Sequence, residues 1–175
     1  MVYPHGVTNG EFLFKGTHRI ASARLREWDY STPGFYFVTV CTKEKICVFG
    51  EIIEIPEDPG AKILLSSIGR IVEKCWLEIP KHYPNVSLDV LQIMPNHVHG
   101  IVFIEEQKSG VTLGLIMNQF KAACTKQIRE TGYQDFAWQE RFYDHIVRNE
   151  KDSERIQKYV FENPAAWLRG EDAEQ

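Results

Sequence analysis

Two apolar segments joined by a tight turn constrain the fold of this chain most strongly. The first covers residues 86–94 and the second residues 97–104, with Pro95-Asn96 between them. Proline and asparagine favour tight turns, and apolar runs of this length that are rich in β-branched residues are typical of strands. The sequence therefore predicts a β-hairpin, in which alternate side chains of each strand share one face of a sheet.

His97 and His99 stand on one face of the second strand, at its start. Their Cα atoms would lie about 6.5 Å apart, because a strand rises about 3.3 Å per residue. Two imidazoles held side by side on a rigid element suit one divalent cation. A His-x-His pair at a strand end is also compatible with an ordinary polar surface, so other residues must decide between the two interpretations.

Further strands are predicted before and after this hairpin. Aromatic and β-branched residues over 35–42 predict a buried strand, and residues 47–53 predict a shorter one. Prolines and a glycine within residues 56–60 predict a loop. A last short strand is predicted over residues 143–147.

Three amphipathic helices are predicted from apolar residues that recur at helical spacing. They cover residues 67–79, 113–129 and 150–163, and their N-cap residues are Ser66, Thr112 and Asn149. Pro80 and Pro164 are expected to end the first and the third helix, because proline interrupts helical hydrogen bonding.

The predicted order of elements is β-β-α-β-β-α-β-α. This order, with a hairpin at its centre, predicts an α+β fold of ferredoxin-like kind, with helices packed on one face of an antiparallel sheet. Residues 34–169 would form this domain, residues 1–33 a basic N-terminal arm and residues 170–175 an acidic tail.

Composition narrows the function classes only slightly. The formal net charge of −4 differs from the basic character of most nucleic-acid-binding proteins. No stretch reaches the ~18 apolar residues of a membrane span, and no apolar secretion signal opens the chain, so a cytoplasmic protein without a membrane partner is predicted. The cysteines form no Cys-x-x-Cys pair, which argues against a zinc ribbon.

Tyr159 and Asn163 share one face of the third predicted helix, one turn apart. A tyrosine hydroxyl can attack a phosphodiester if a Lewis acid polarises the phosphate. His97 and His99 alone leave Mg²⁺ or Mn²⁺ under-ligated, and an oxygen of Asn163 would add a third ligand. Taken alone, Tyr159 is by default a core aromatic, and Asn163, just before a proline, is by default a helix C-cap.

An ordered set of motifs resembles the single-tyrosine HUH transposases (the insertion-sequence 200-like family), and most of all their REP-associated tyrosine transposase branch. The matching stretches are YFVTVCT at 36–42, IMPNHVHGI at 93–101, FK at 120–121, WQ at 138–139, FYDHIVR at 142–148 and YVFENP at 159–164. The resemblance extends over about residues 24–168. It implies an HUH endonuclease fold and metal-dependent cleavage and rejoining of single-stranded DNA near a hairpin, through a 5′-phosphotyrosine intermediate.

The resemblance also implies a role for each candidate residue. Tyr159 would be the nucleophile, and His97, His99 and Asn163 would bind Mg²⁺ or Mn²⁺. A glutamine usually stands at the last position in insertion-sequence relatives, whereas asparagine suits the REP-associated branch. Tyr143 is the rival nucleophile, but the residue four positions later is a valine and cannot act as a ligand.

Basic residues near the third helix predict a groove that binds a single strand through phosphate contacts and base stacking. The predicted DNA-binding residues are Arg24, Arg26, Lys121, Arg141, Arg148, Arg155 and Lys158. Acidic residues are interleaved with them, so a mixed solvated surface is the alternative.

Two other functions stay open on sequence alone. The first is a catalytically idle or domesticated protein that binds DNA hairpins without cleaving them. The second is a histidine-based phosphoesterase, which would need a third histidine where Ile101 stands. The sequence is compatible with a monomer or with a homodimer that shares active sites.

Overall fold

An antiparallel sheet organises the fold of the computed structural model, which describes residues 13–14, 17–18, 28–55 and 58–171. In chain order the strands are β1 (Leu13–Phe14), β2 (Thr17–His18), β3 (Gly34–Cys41), β4 (Gly50–Ile55), β5 (Asp58–Leu65), β6 (Val86–Ile93), β7 (His97–Ile104) and β8 (Tyr143–Val147). The helices are α1 (Ser67–Leu77), α2 (Ile79–His82), α3 (Leu113–Glu130) and α4 (Glu150–Leu168). Within the described chain, the main sheet is four-stranded, in the order β6-β7-β3-β8.

The predicted hairpin is confirmed and lies inside this sheet. β6 and β7 pair antiparallel across a tight turn, with Ile93 opposite Val98. β3 pairs antiparallel with the other edge of β7, and this register sets Thr39 opposite His99. The strand that carries the histidines is therefore hydrogen-bonded on both sides, which makes it a rigid platform.

One face of the sheet packs against α1 and α3. Alternate residues of the central strands, among them Val38 and Val98, are buried there with Trp76 of α1 and Phe120 of α3. The rings of Trp76 and Phe120 meet edge to face, with centroids 5.3 Å apart. A Cβ on Gly100 would come within 2.2 Å of the Trp76 ring. The glycine thus lets α1 approach the strand that carries the histidines.

The other face packs against α4, which corrects the prediction that the helices lie on one face. Phe37 and Ile101 are buried on this side against Ile156 and Val160 of α4. The central strands are apolar on both faces, so a single helical layer would leave Phe37 and Ile101 in water. The histidines of β7 share this face with Ile101, because alternate residues of a strand point the same way. The prediction of an α+β fold with an antiparallel sheet is confirmed.

Besides the main sheet, β1 pairs with β2 and β4 pairs with β5, and the β4-β5 sheet is predicted only in part. The sequence predicts a strand near β4 but a loop where β5 begins. Ile63 and Leu65 of β5 pack against the core and alternate with the exposed residues Lys62 and Leu64. This period of two is typical of a strand, whereas the proline and glycine that precede it favour a loop.

All three predicted N-caps are confirmed. The side chains of Ser66, Thr112 and Asn149 accept hydrogen bonds from backbone N–H groups in the first turns of α1, α3 and α4. The cap at Asn149 matters most for function, because it fixes where α4 leaves β8 and turns back across the sheet.

The two predicted proline stops have different outcomes. α1 ends at Leu77, before Pro80 as predicted, and Pro80 lies in the first turn of the short helix α2, where its missing N–H has no helical partner to lose. The stop at Pro164 is wrong. α4 continues through Pro164 to Leu168. The turn after Pro164 carries Trp167, whose ring packs near the ring of His97, and this contact helps to offset the hydrogen bond that the proline removes. In the described part of the chain, no helix is both long and apolar enough to cross a membrane.

Residues 28–33, the end of the predicted N-terminal arm, pack against β3. The Trp28 indole N–H donates to the Tyr36 hydroxyl at 3.2 Å, and this hydroxyl donates to the Thr32 carbonyl at 2.7 Å. The arm is thereby joined to the face of the sheet that α1 and α3 cover.

Candidate metal and nucleophile site

The imidazoles of His97 and His99 converge at the start of β7. Their Nε2 atoms lie 3.0 Å apart, and the ring planes are inclined at 75°. Both side chains point to the α4 face of the sheet, as the alternation of the strand predicts. The pair therefore directs one ring nitrogen from each histidine at the same small volume.

The second ring nitrogen of each histidine has its own polar partner. His97 Nδ1 lies 2.6 Å from Asn96 Oδ1, and His99 Nδ1 lies 2.9 Å from Thr39 Oγ1. Partners of this kind orient histidine ligands and fix the nitrogen that faces a metal. The sequence alone does not predict either partner. Asn96 was visible as a neighbour in the turn, but the pairing of Thr39 with His99 depends on strand register.

Both histidines are buried, with exposed fractions of 8% for His97 and 2% for His99. Burial, reinforced by the charge of Lys45, lowers the pKa of His97 to about 4. Burial, with the nearby His97, holds the pKa of His99 well below its usual value. Both rings are thus neutral at pH 7, which is the protonation state that a metal ligand requires.

α4 brings Tyr159, Asn163 and Trp167 on to the histidines, one helical turn apart from each other. The Tyr159 ring lies 5.3 Å from the His99 ring between centroids, and the Trp167 ring lies 6.2 Å from the His97 ring. Because Asn163 is midway between Tyr159 and Trp167 on the same helix face, it faces the histidine pair.

The side-chain oxygen of Asn163 is buried and has no hydrogen-bond partner. The residue is 4% exposed, and an unsatisfied buried acceptor of this kind costs about 1–3 kcal/mol. Among the described residues, no group of three or more His, Cys, Asp or Glu side chains could hold a metal. Two imidazole nitrogens and one orphan amide oxygen nevertheless form a donor set that suits Mn²⁺ or Mg²⁺ with open positions.

Tyr143, the rival nucleophile, lies farther from the histidines. It is 37% exposed on β8, on the same sheet face, and pairs with Thr39. Because Thr39 in turn pairs with His99, Tyr143 lies two strands away, about 9–10 Å between backbones. His145, the next residue on this face, contacts Asp152 of α4, with its Nε2 2.8 Å from Oδ2. His145 therefore joins β8 to α4 and is not a member of the histidine pair on β7.

Five of the predicted DNA-binding residues lie in the described part of the chain. Arg141, Arg148, Arg155 and Lys158 are exposed around β8 and α4. Arg155 is paired with Asp152 at 2.7 Å. The Lys121 amino group donates to the carbonyls of Gln139 and Glu140 at 2.6 and 3.0 Å, and burial lowers its pKa. Lys121 therefore holds the loop before β8 in place.

Two of the predicted DNA-binding residues, Arg24 and Arg26, lie outside the described residues, as do residues 172–175 of the predicted acidic tail. Their assignments stay predictions from the sequence.

A family model described as transposase IS200-like matches residues 61–163. The chain is similar to an uncharacterised protein of Haemophilus influenzae, with 36% identity over 171 residues that cover 87% of this chain and 92% of that protein. It is also similar to a protein of the same organism with the provisional name REP-associated tyrosine transposase, with 22% identity over 144 residues that cover 78% of this chain and 73% of that protein.

One solved structure resembles the fold over most of its length. It is the structure of a REP-associated tyrosine transposase bound to a REP hairpin, with a TM-score of 0.59 and 19% identity. The superposition covers 87% of this chain and 76% of that chain. The arrangement of sheet and helices described above is therefore shared with that protein.

Proposed function

The chain belongs to the family of IS200-like transposases, and we propose that it cleaves and rejoins single-stranded DNA beside a hairpin, with Tyr159 as nucleophile and a divalent metal as cofactor. The observation that carries the proposal is the contact between the Tyr159 and His99 rings, with the orphan oxygen of Asn163 one turn further along α4. Nucleophile and metal ligands are then held by one helix against one strand.

His97 and His99 would bind the metal through Nε2, and Asn163 through Oδ1. A bound Mg²⁺ or Mn²⁺ would supply a Lewis acid that polarises the scissile phosphate and stabilises charge on its oxygens. Among the residues of this chain, Thr39 and Asn96 orient the rings, and the burial of both rings keeps them neutral.

Tyr159 Oη would attack the phosphorus of one phosphodiester. A new bond forms between Oη and phosphorus, and the bond between phosphorus and the 3′ oxygen breaks. The phenol loses a proton to solvent and the 3′ oxygen gains one, so the products are a 5′-phosphotyrosine and a free 3′ hydroxyl. One phosphate ester replaces another, so a 3′ hydroxyl can reverse the step and join strands.

A hairpin in single-stranded DNA is proposed as the ligand class because the structurally similar transposase was solved with a REP hairpin. Arg141 just before β8 and Arg148 just after it are exposed, which supports contact with phosphates. The exposed ring of Tyr143, on the sheet face that carries the histidines, supports base stacking.

The test uses an oligonucleotide that contains a palindrome from the DNA flanking this gene, with single-stranded arms and a fluorophore at the 3′ end. Because the tyrosine would retain the 3′ fragment, the covalent adduct carries the fluorophore through denaturing electrophoresis. We expect an adduct with Mn²⁺, none with a chelator and none from Tyr159→Phe.

Tyr143→Phe is the matched control and should form the adduct. An adduct from Tyr159→Phe, together with its loss in Tyr143→Phe, would transfer the nucleophile to Tyr143. Retention of the hairpin without an adduct from the wild-type chain would instead identify a hairpin-binding protein without cleavage activity.

A further inference from the structure

We propose that Thr39 is a positioning residue that pairs with both neutral tautomers of His99, and that it changes from hydrogen-bond donor to acceptor when the histidine pair takes up a divalent cation. The inference rests on the proposed function, because it concerns the same pair of histidines. It follows from a series of four linked hydrogen bonds. The donor and the acceptor of each bond can be derived in turn, starting from Asn96.

The first residue in this series of hydrogen bonds is Asn96, whose side-chain orientation is fixed. Its Nδ2 donates to the Lys45 carbonyl at 3.2 Å, so the amide oxygen is the atom that faces His97 Nδ1, at 2.6 Å. An amide oxygen can only accept, so Nδ1 of His97 carries the hydrogen. A neutral imidazole has one N–H group, and His97 Nε2 therefore presents a lone pair.

The direction of the next bond follows from this lone pair. The 3.0 Å separation between the two Nε2 atoms is a hydrogen-bond distance, and a hydrogen bond needs one donor. Because His97 Nε2 accepts, His99 Nε2 donates. His99 Nδ1 is then an acceptor, and the Thr39 hydroxyl at 2.9 Å donates to it. All four bonds thus point from Thr39 towards Lys45.

A cation between the histidines requires a lone pair from both Nε2 atoms. His97 already presents one, but His99 must lose the proton from Nε2 and gain one at Nδ1. Water can carry this proton, and the ring stays neutral because one N–H bond replaces another. The new Nδ1–H then needs an acceptor, and the Thr39 hydroxyl provides one by rotating about its C–O bond, since a hydroxyl both donates and accepts.

The two partners therefore have different roles. Asn96 holds His97 in one tautomer with and without metal, because its amide is fixed by the Lys45 carbonyl. Thr39 accommodates both tautomers of His99. Valine has the shape of threonine without the hydroxyl, so Thr39→Val would leave a buried, unpaired Nδ1–H in the metal-bound state. Thr39→Ser keeps the hydroxyl and is the matched control.

The experiment uses the full chain labelled with ¹⁵N-histidine at neutral pH. Long-range ¹H–¹⁵N correlation spectra distinguish the two neutral tautomers, without metal and with saturating Mg²⁺. We expect Nδ1–H at His97 in both states, and at His99 a change from Nε2–H to Nδ1–H on addition of Mg²⁺. Titration with Mn²⁺, followed by electron paramagnetic resonance, should give a Kd about tenfold or more weaker for Thr39→Val, and a wild-type value for Thr39→Ser.

An Nδ1–H tautomer of His99 in the metal-free protein would overturn the inference, and that spectrum needs only the wild-type chain. Equal Mn²⁺ affinities for Thr39→Val and Thr39→Ser would overturn it as well. Failure of the proposed function has a different result. If the wild-type chain binds neither Mg²⁺ nor Mn²⁺, the titration shows no change, and both the metal role and the tautomer change are excluded. Metal binding without a change at His99 contradicts only the role of Thr39.

Discussion

The ring of Tyr159 lies against the ring of His99 in the same chain, with centroids 5.3 Å apart and planes inclined at 70°. Phe37 supports the tyrosine from the neighbouring strand through an edge contact, with centroids 6.3 Å apart. Only Arg148 and Asn149 separate β8 from α4. With this short connection, the helix packs on the sheet of its own chain. One chain therefore contains every candidate residue of the site.

This intramolecular contact predicts that one chain suffices for cleavage. A mixture of Tyr159→Phe and His99→Ala proteins should form no covalent adduct with the hairpin oligonucleotide, because neither protein has a complete site. In a dimer with exchanged helices, the mixture would regain a complete site, and about one quarter to one half of wild-type adduct would contradict this prediction. The measurement is the adduct yield on a denaturing gel.

The orphan oxygen of Asn163 predicts opposite effects on stability and function. Asn163→Leu replaces the amide with an apolar group of similar size, so the metal-free protein should gain about 1 kcal/mol in free energy of unfolding. The same change should abolish the increase in melting temperature that Mn²⁺ produces in the wild-type chain. Urea unfolding and thermal melts with and without Mn²⁺ measure the two effects.

Asn163→Asp is the control for this prediction, because it retains an oxygen at the same position. It should keep the stabilisation by Mn²⁺ and lose stability only without metal, since a buried carboxylate is unpaired there. If Asn163→Leu is stabilised by Mn²⁺ as strongly as the wild-type chain, Asn163 is not a ligand.

The sequence was sufficient to predict the parts of the site that depend on local pattern. Alternation along β7 placed His97 and His99 on one face, and helical spacing placed Tyr159 and Asn163 on one face. The N-cap at Asn149 also follows from local chemistry. Each of these features depends on residues within a few positions of each other, where spacing alone determines direction.

The parts that sequence did not predict depend on packing between distant segments. The partnership of Thr39 and His99 requires the register of two strands that are 60 residues apart. α4 continues beyond Pro164, and the ring of Trp167 in that last turn lies near the ring of His97, a contact that exists only once the helix has packed on the sheet. Local propensity is overridden in such places because tertiary contacts contribute more free energy than one helical hydrogen bond.

Gly100 predicts a specific loss of stability. Gly100→Ala places a Cβ within 2.2 Å of the Trp76 ring, so the free energy of unfolding should fall by about 1–3 kcal/mol. The atoms approached belong to the six-membered ring of the indole, and phenylalanine lacks that outer ring. The double variant Gly100→Ala/Trp76→Phe should therefore lose less than the sum of the two single changes. Additive losses in urea unfolding would show that the clash is relieved elsewhere.

The exposed arginines beside β8 predict binding that depends on salt. Affinity for a single-stranded hairpin should fall steeply as salt rises, and Arg141→Ala and Arg148→Ala should each lower the slope of log Kd against log salt by about 0.7–1. Arg70→Ala, an exposed arginine on α1 at the opposite face of the sheet, is the control and should leave the slope unchanged. Equal effects of all three variants would remove the β8 side as the binding surface.

The contacts of Asp152 between α4 and β8 predict a contribution to the free energy of unfolding that depends on pH. Burial by itself would raise the pKa of Asp152, but hydrogen bonds from Arg155, His145 and the Arg148 amide outweigh burial and lower it from 3.8 to about 2. A carboxyl with a lowered pKa in the folded state adds stability above its unfolded pKa and loses that contribution as pH falls through its folded pKa. The contribution should be complete at pH 7 and decline between about pH 4 and pH 2.

Asp152→Asn should therefore lower the free energy of unfolding by about 1 kcal/mol at pH 7, as measured by urea unfolding. The difference from the wild-type chain should shrink at pH 3, because the wild-type carboxyl begins to take up its proton there. Glu154→Gln, on the exposed side of the same helix, should change stability by less than about 0.5 kcal/mol at either pH. A difference for Asp152→Asn that stays constant from pH 7 to pH 3 would mean that the charge of Asp152 does not hold α4 against His145.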